Sequence, residues 1–269
     1  MVTKIKSATL KPHLDRLYAA LNRREYVSPD PLQFLYDYAD PLDREIVGLI
    51  ASSLAYGRVA QILRSVKYVL DRMQGPRKFL ADTTPAKMQR AFVGFKHRFT
   101  IGDEMAALLA GARHAIRAHG SLGACFASLA KKGDEDVRPA LARFVDELNK
   151  GAAGSTASLL PEPSRGSACK RLHLYLRWMV RSDEVDPGGW DCVAPSKLII
   201  PLDTHMHRIC GKMGLTKRRP ADARTAKEIT EAFRKFSPED PVRYDFAITR
   251  LGIRNGMDLH GYLGHILIR

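Results

Sequence analysis

The stretch DPLDREIVGLIASSLAYG, residues 40–57, reads as one helix from end to end. Asp40 offers a side-chain oxygen to the first free amides, and Pro41 brings a preset φ to the first helical position, where its missing N–H costs nothing. Ile46, Leu49, Ile50 and Leu54 then recur at spacings of three and four, the stripe of a helix that packs against a core. Gly57 closes the segment. The same Asp-Pro step stands at Asp30-Pro31 and Asp240-Pro241, and each predicts a further helix start. Thr100 and Asp103 have the spacing of a capping box, opening a helix through MAALLAGARHAIRAHG that stops at Gly120. Apolar spacing and end signals predict further helices at 9–24, 59–73, 85–95, 121–131, 135–149, 167–181, 204–213, 222–236 and 241–251. Alternating β-branched runs are nearly absent, and Leu198, Ile199 and Ile200 are too few to build a sheet. The fold class that follows is all-α.

Composition narrows the class of partner. The 269 residues are 45% hydrophobic and 27% charged, which excludes a disordered or fibrous chain. Lys and Arg number 43 against 29 Asp and Glu, a surplus of 14 positive charges. With a pI near 9.8, that surplus favours a polyanion, because each neutralised phosphate releases condensed counterions. The N-terminal MVTKIKSATLKPHLDRLYAAL lacks the uninterrupted apolar run and cleavage site of a secretory signal, so a cytoplasmic location is expected. No apolar run approaches the roughly 20 residues of a membrane span, and no membrane partner is expected. Cys125, Cys169, Cys192 and Cys210 form no C-x-x-C pair, so neither a zinc ribbon nor an iron–sulfur cluster is predicted.

Two stretches interrupt the helices. NKGAAGSTASLLPEPSRGS, 149–167, is rich in Gly, Ser and Pro and reads as a loop. RSDEVDPGGWDCVAPSKLIIP, 181–201, is a second long connection and holds Trp190, one of two tryptophans. Between them lies SRGSACKRLHLYLRWMVR, 164–181. Leu172, Tyr175, Leu176 and Met179 form its apolar stripe, while Lys170, His173, Arg177 and Arg181 share another face, by itself a solvated basic surface. Lys170 falls in the first turn, where the positive end of the helix disfavours a cation. With partial burial, that field favours the free amine that a nucleophilic lysine needs. The second loop runs into IIPLDTHMHRICGKMGL, 199–215, in which Asp203 is placed to cap a helix closed by Gly214. His205 and His207 are two residues apart, about 200° around a helix, and cannot chelate one metal together; no metal is expected. One of them near the helix start could still touch a phosphate or a base.

PLDTHMHRICGKMGL resembles the (V/L)-D-T-H-x-x-R segment of the helix-hairpin-helix–GPD superfamily of DNA glycosylases, in which that segment follows a helix beginning near a catalytic lysine. SRGSACKRLHLYLRWMV stands in the position of that helix, with Lys170 in the lysine's place, and LIASSLAYGRVAQI (49–62) resembles the lesion-facing helix–turn–helix. DPVRYDFAITRLGI (240–253) and FKHRF (95–99) are also similar to an uncharacterised bacterial family of conserved proteins. Among characterised enzymes the likeness is to 8-oxoguanine glycosylases, over about residues 40–253. The chain departs from the superfamily in three ways. LLPEPSRGS, with the single glycine Gly166, replaces the Gly-rich hairpin; the loop around Trp190 widens the Lys170–Asp203 spacing; and the cysteine-ligated cluster of many members is absent.

The resemblance implies two helical subdomains around a central cleft. About 41–180 would form a barrel-like unit ending in the lysine helix, and 1–40 with 181–269 a second unit presenting Asp203 from the opposite wall. It implies a damaged base in double-stranded DNA as substrate, an oxidised purine such as 8-oxoguanine being favoured, bound by a monomer near the nucleoid without a cofactor. The base would be flipped into the cleft. Asp203 would stabilise the cationic sugar, and Lys170 would attack C1′ and form a Schiff base that permits strand cleavage. Arg165, Gly166, Ser167, Arg171 and His205 would hold phosphates, Tyr56, Gly57 and Arg58 would enter the gap, and Trp190 would stack the flipped base. Two other functions fit parts of the pattern. A non-catalytic helical binder of DNA or structured RNA explains the charge and the helices but leaves Lys170 and Asp203 as coincidence. A metal-dependent nuclease lacks a paired acidic motif.

Overall fold

The computed structural model describes residues 7–253 and is mostly helical, as the spacing predicts. In chain order the α-helices are α1 (Ser7–Leu21), α2 (Pro41–Ser53), α3 (Val59–Met73), α4 (Pro76–Asp82), α5 (Pro85–Ala91), α6 (Gly102–His119), α7 (Leu122–Leu129), α8 (Arg138–Gly151), α9 (Lys170–Val180), α10 (Thr204–Lys212), α11 (Ala223–Arg234) and α12 (Asp245–Ile253). Strands β1 (Lys96–His97) and β2 (Thr100–Ile101) pair antiparallel as a minimal hairpin. The first two Asp-Pro steps behave as read. Asp30 accepts from Leu32 N at 3.0 Å and opens a 3-10 segment, Pro31–Asp37, and Asp40 accepts from Leu42 N at 2.9 Å and opens α2.

Helix α2 is the axis of the molecule. Residues 45 through 53 are all buried, so the stripe read from Ile46 to Leu54 understates it; a helix surrounded by neighbours buries every face. It packs on α9 and on the 31–37 segment. Gly48 makes the α9 contact close: a Cβ there would sit 3.2 Å from both the Tyr175 ring and the Met179 sulfur. The one carboxylate in this buried run, Glu45, accepts from Leu122 N at 2.7 Å, Gly123 N at 2.9 Å and Trp190 Nε1 at 2.9 Å. Burial nevertheless raises its pKa above the ordinary value. Around this axis, α6 packs on α5, α7 and α8, while α12 lies against α1 and α10. The buried apolar side chains form one continuous cluster from Leu10 to Ile248, spanning both parts of the expected division at residues 40 and 180. The parts of that division at 1–6 and 254–269 lie outside the described residues.

Four expectations need correction. The third Asp-Pro step does not cap a helix: α12 starts at Asp245, and the Asp240 carboxylate binds Arg181 Nε instead, at 3.0 Å. Thr100 does not open α6. It belongs to β2, and Glu104 caps the helix by accepting from Ile101 N at 3.2 Å. Helix α4 lies where no helix was read, its start marked by Gly75 and Pro76. Beyond Lys170, the expected solvated face of α9 is buried at His173, Arg177 and Arg181. Arg177 pairs with Asp186 at 3.1 Å and with Asp245, and Arg181 pairs with Asp183 at 2.8 Å and with Asp186. Tyr18 of α1 and Asn22, just beyond its end, donate to Asp183 at 2.9 and 3.0 Å, so the network ties α1, α9 and α12 together.

Candidate active site

Lys170 is the first residue of α9. The residue before it, Cys169, takes the left-handed conformation at φ 44°, a turn that a non-glycine residue adopts only when its surroundings enforce it. The preceding segment is fastened from outside: Gly166, at φ 78°, accepts Ala223 N from α11 at 3.0 Å, and the Ser167 hydroxyl accepts Cys169 N at 3.3 Å. Asp203 ends an approach whose Ile199, Ile200 and Leu202 are buried, which fixes where its side chain emerges.

The two side chains meet. One Asp203 oxygen caps α10 by accepting Met206 N at 2.8 Å; the other lies 2.9 Å from Lys170 Nζ. The cap and the ion pair are thus made by different oxygens of one carboxylate. Burial opposes the Asp203 charge, but Lys170 beside it and the hydrogen bond from Met206 outweigh that effect and hold the carboxyl below its usual value. Lys170 is 35% and Asp203 30% exposed, so both remain reachable.

The pair lies on the wall of a cavity of about 200 Å³. Val59, Ile62, Leu174, Trp178 and Phe246 give it an apolar lining. Its charges come from four separate parts of the chain: Asp30, Lys170 with Arg177, Asp203, and Asp245 with Arg250. Asp30 pairs with Arg250 at 2.5 Å, the Arg250 guanidinium lies 4.4 Å over the Phe246 ring, and Arg177 pairs with Asp245. Asp245 Oδ1, Trp178 Nε1 and Arg250 Nε are buried without a hydrogen-bond partner among the described residues. Such groups normally find partners, so these three are polar atoms left unpaired within residues that line the cavity.

The remaining candidates separate into those near the site and those that are not. Trp190 is buried in an aromatic cluster with Phe126, Phe144 and Tyr175, and its Nε1 is taken by Glu45. It lines no part of the Lys170 cavity and cannot stack a base there. Arg171 also turns inward. Its Nη1 donates to the Ser53 and Ser158 carbonyls, both at 2.7 Å, so it staples the 149–167 loop to α2 and is not free for a phosphate. Arg165, Gly166 and Ser167 are exposed, with Arg165 paired to Glu162 at 2.6 Å. His205 is half-buried. Its Nδ1 faces Arg208 at 3.2 Å, its Nε2 has no partner among the described residues, and burial lowers its pKa. His207 points elsewhere, to the Arg218 carbonyl at 2.8 Å, and no group of three metal-ligating side chains occurs among the described residues. Tyr56 is half-buried with its hydroxyl on Thr100 Oγ1 at 2.5 Å, while Gly57 and Arg58 are exposed at the start of α3.

Asp30, Trp178, Asp245, Phe246 and Arg250 escaped the reading of the sequence as site residues. Asp30 looked like a helix cap, which it also is, and DPVRYDFAITR was noted without a role. The family model described as "Protein of unknown function (DUF2400)" matches residues 30–254, which take in every residue lining the cavity except Pro29. No curated protein and no solved structure matches the chain.

Proposed function

The chain belongs to the DUF2400 family, whose description assigns no activity, and from the site itself we propose that it is a base-excision DNA glycosylase with an associated abasic-site lyase activity. The observation that carries this reading is the 2.9 Å contact between Lys170 Nζ and Asp203 Oδ2 on the wall of a largely apolar cavity. A lysine and a carboxylate in contact, both reachable, are the groups that Schiff-base chemistry at a sugar requires. The surplus of 14 positive charges supports a polyanionic substrate, and the resemblance of the Asp203 segment to glycosylases favours an oxidised purine such as 8-oxoguanine.

The chemistry proceeds as follows. A damaged nucleotide turned out of the duplex enters the cavity, where Phe246, Trp178 and the charged groups beside them contact the base. The C1′–N bond breaks with its electron pair leaving on the base, and the Asp203 carboxylate faces the positive charge that develops on the sugar. Lys170 passes one proton to the departing base, its freed amine bonds to C1′, and the second proton that nitrogen then sheds goes by way of Asp203 to O4′ as the ring opens. Ring opening yields the Schiff base; loss of a C2′ proton then expels the 3′ phosphate and cuts the strand.

Borohydride reduction of the Schiff base tests the reading. Incubated with duplex oligonucleotides carrying 8-oxoguanine or an abasic site, the wild-type protein should form a covalent adduct that Lys170→Ala loses. Asp203→Asn should still bind the duplex while excising the base orders of magnitude more slowly. Binding without any adduct would instead identify a non-catalytic nucleic-acid-binding protein.

A further inference from the structure

The strand register, Lys96 opposite Ile101 and His97 opposite Thr100, leaves Arg98 and Phe99 as the two-residue tip of the hairpin. Its base is held firmly. His97 contacts the Ser65 hydroxyl at 2.9 Å and the Tyr56 carbonyl at 3.0 Å, and the Thr100 hydroxyl lies 2.6 Å from that of Ser158. The tip is different. Phe99 is 64% exposed, its ring stacked on Tyr56 at 5.0 Å and 24°, and Arg98 adopts the left-handed φ of 57°. The exposed large hydrophobic side chains among the described residues are Val59, Val93, Phe99 and Ile101; three of the four fall within 93–101, and Val59 borders the cavity. Arg58, Arg64, Lys96 and Arg98 are exposed around them and make no ion pair among the described residues, whereas Lys67 on the same α3 is neutralised by Asp71. A rigidly seated apolar ring ringed by unpaired cations has the chemistry of a surface that meets stacked bases between phosphates.

We infer that Phe99 is the side chain that enters the base stack beside the vacated position, with Tyr56 as its support and Arg58, Lys96 and Arg98 on the flanking phosphates. This rests on the reading that the substrate is duplex DNA, and it moves the intercalating role from Tyr56, whose hydroxyl is tied to Thr100, to the hairpin tip. Tyr56 links the tip to the site because Ala55, next to it, and Val59, three residues on, line the cavity that holds Lys170 and Asp203.

The test uses the full chain and a duplex carrying a tetrahydrofuran abasic analogue, which offers a gap but no aldehyde for Lys170 to attack. Wild type should prefer this duplex to an intact one of the same length. Phe99→Ala should lose about tenfold in affinity for the gapped duplex and little for the intact one, and Phe99→Trp should restore the preference. A 2-aminopurine next to the gap should change fluorescence with wild type and not with Phe99→Ala. Equal gap preference in wild type and Phe99→Ala, or no preference in wild type, overturns the inference. Failure of borohydride trapping while the Phe99-dependent preference persists would remove the lyase and leave the wedge standing; failure to bind any DNA removes both.

Discussion

The two ends of α9 carry cations at the same helical spacing and use them in opposite ways. At its C-terminal end, Arg177 and Arg181 are each about 95% buried and share Asp183, Asp186, Asp240 and Asp245 among them. Burial alone pushes Asp186 and Asp245 above the ordinary carboxylate range, and the arginines only partly reverse it. Guanidinium suits this role because its planar fork reaches several carboxylates and never loses its proton. At the N-terminal end, Lys170 meets one carboxylate beside an open cavity. The first arrangement fixes the scaffold; the second leaves both partners about a third exposed. What distinguishes the two ends of this helix is the number of partners and access to solvent, not the charge itself.

The largest effect should come from breaking the buried end. Arg181→Met leaves Asp186, Asp183 and Asp240 short of a partner, and removing one member of a buried network costs about 3–5 kcal/mol. Urea unfolding at neutral pH measures it, and a loss under about 1 kcal/mol would show that the carboxylates re-pair or neutralise cheaply. A middle-sized effect should come from His173, one turn beyond Lys170 and fully enclosed, whose pKa burial lowers to about 4. The unfolded chain takes up this proton below about pH 6.5 and the folded one only near pH 4, so stability is present above the unfolded value and is lost as pH falls between them. Between pH 7 and pH 5 that loss should be about 2 kcal/mol, and His173→Leu should flatten the corresponding part of the curve. The smallest stability effect should come from the open end. Lys170→Met removes an ion pair that is a third exposed, so its unfolding midpoint should move by less than about 1 kcal/mol while the borohydride adduct disappears. Destabilisation as large as that of Arg181→Met would make Lys170 another scaffold residue.

Local signals in the sequence carried the helices well. Asp40-Pro41, the 59–73 periodicity and Asp203 before Thr204 all mark ends that lie where their chemistry puts them. Asp240-Pro241 misled because a tertiary demand, neutralising Arg181, outweighed the capping preference of the same carboxylate. The face of α9 was misread for a similar reason. Three and four residue spacing shows which side chains share a face, but whether water or Asp183, Asp186 and Asp245 meets that face depends on segments up to 68 residues away. Lys170 and Asp203 were legible because each also sits at a helix start, a local feature. The cavity around them was not, since Asp30, Trp178 and Arg250 come from distant segments and no local pattern joins them.

The crowding at Gly48 has a consequence for how the protein is lost to heat. Tyr175 and Met179 press α9 onto the central helix, and the arginine network clamps its far end, so α9 has no route to fray from its C-terminus without opening the core. Its interior amides should therefore exchange with deuterated solvent only through global unfolding, among the slowest in the chain. Lys170 is mounted on that helix, so heating should part it from Asp203 only as the chain unfolds, with no folded species lacking the pair accumulating on the way.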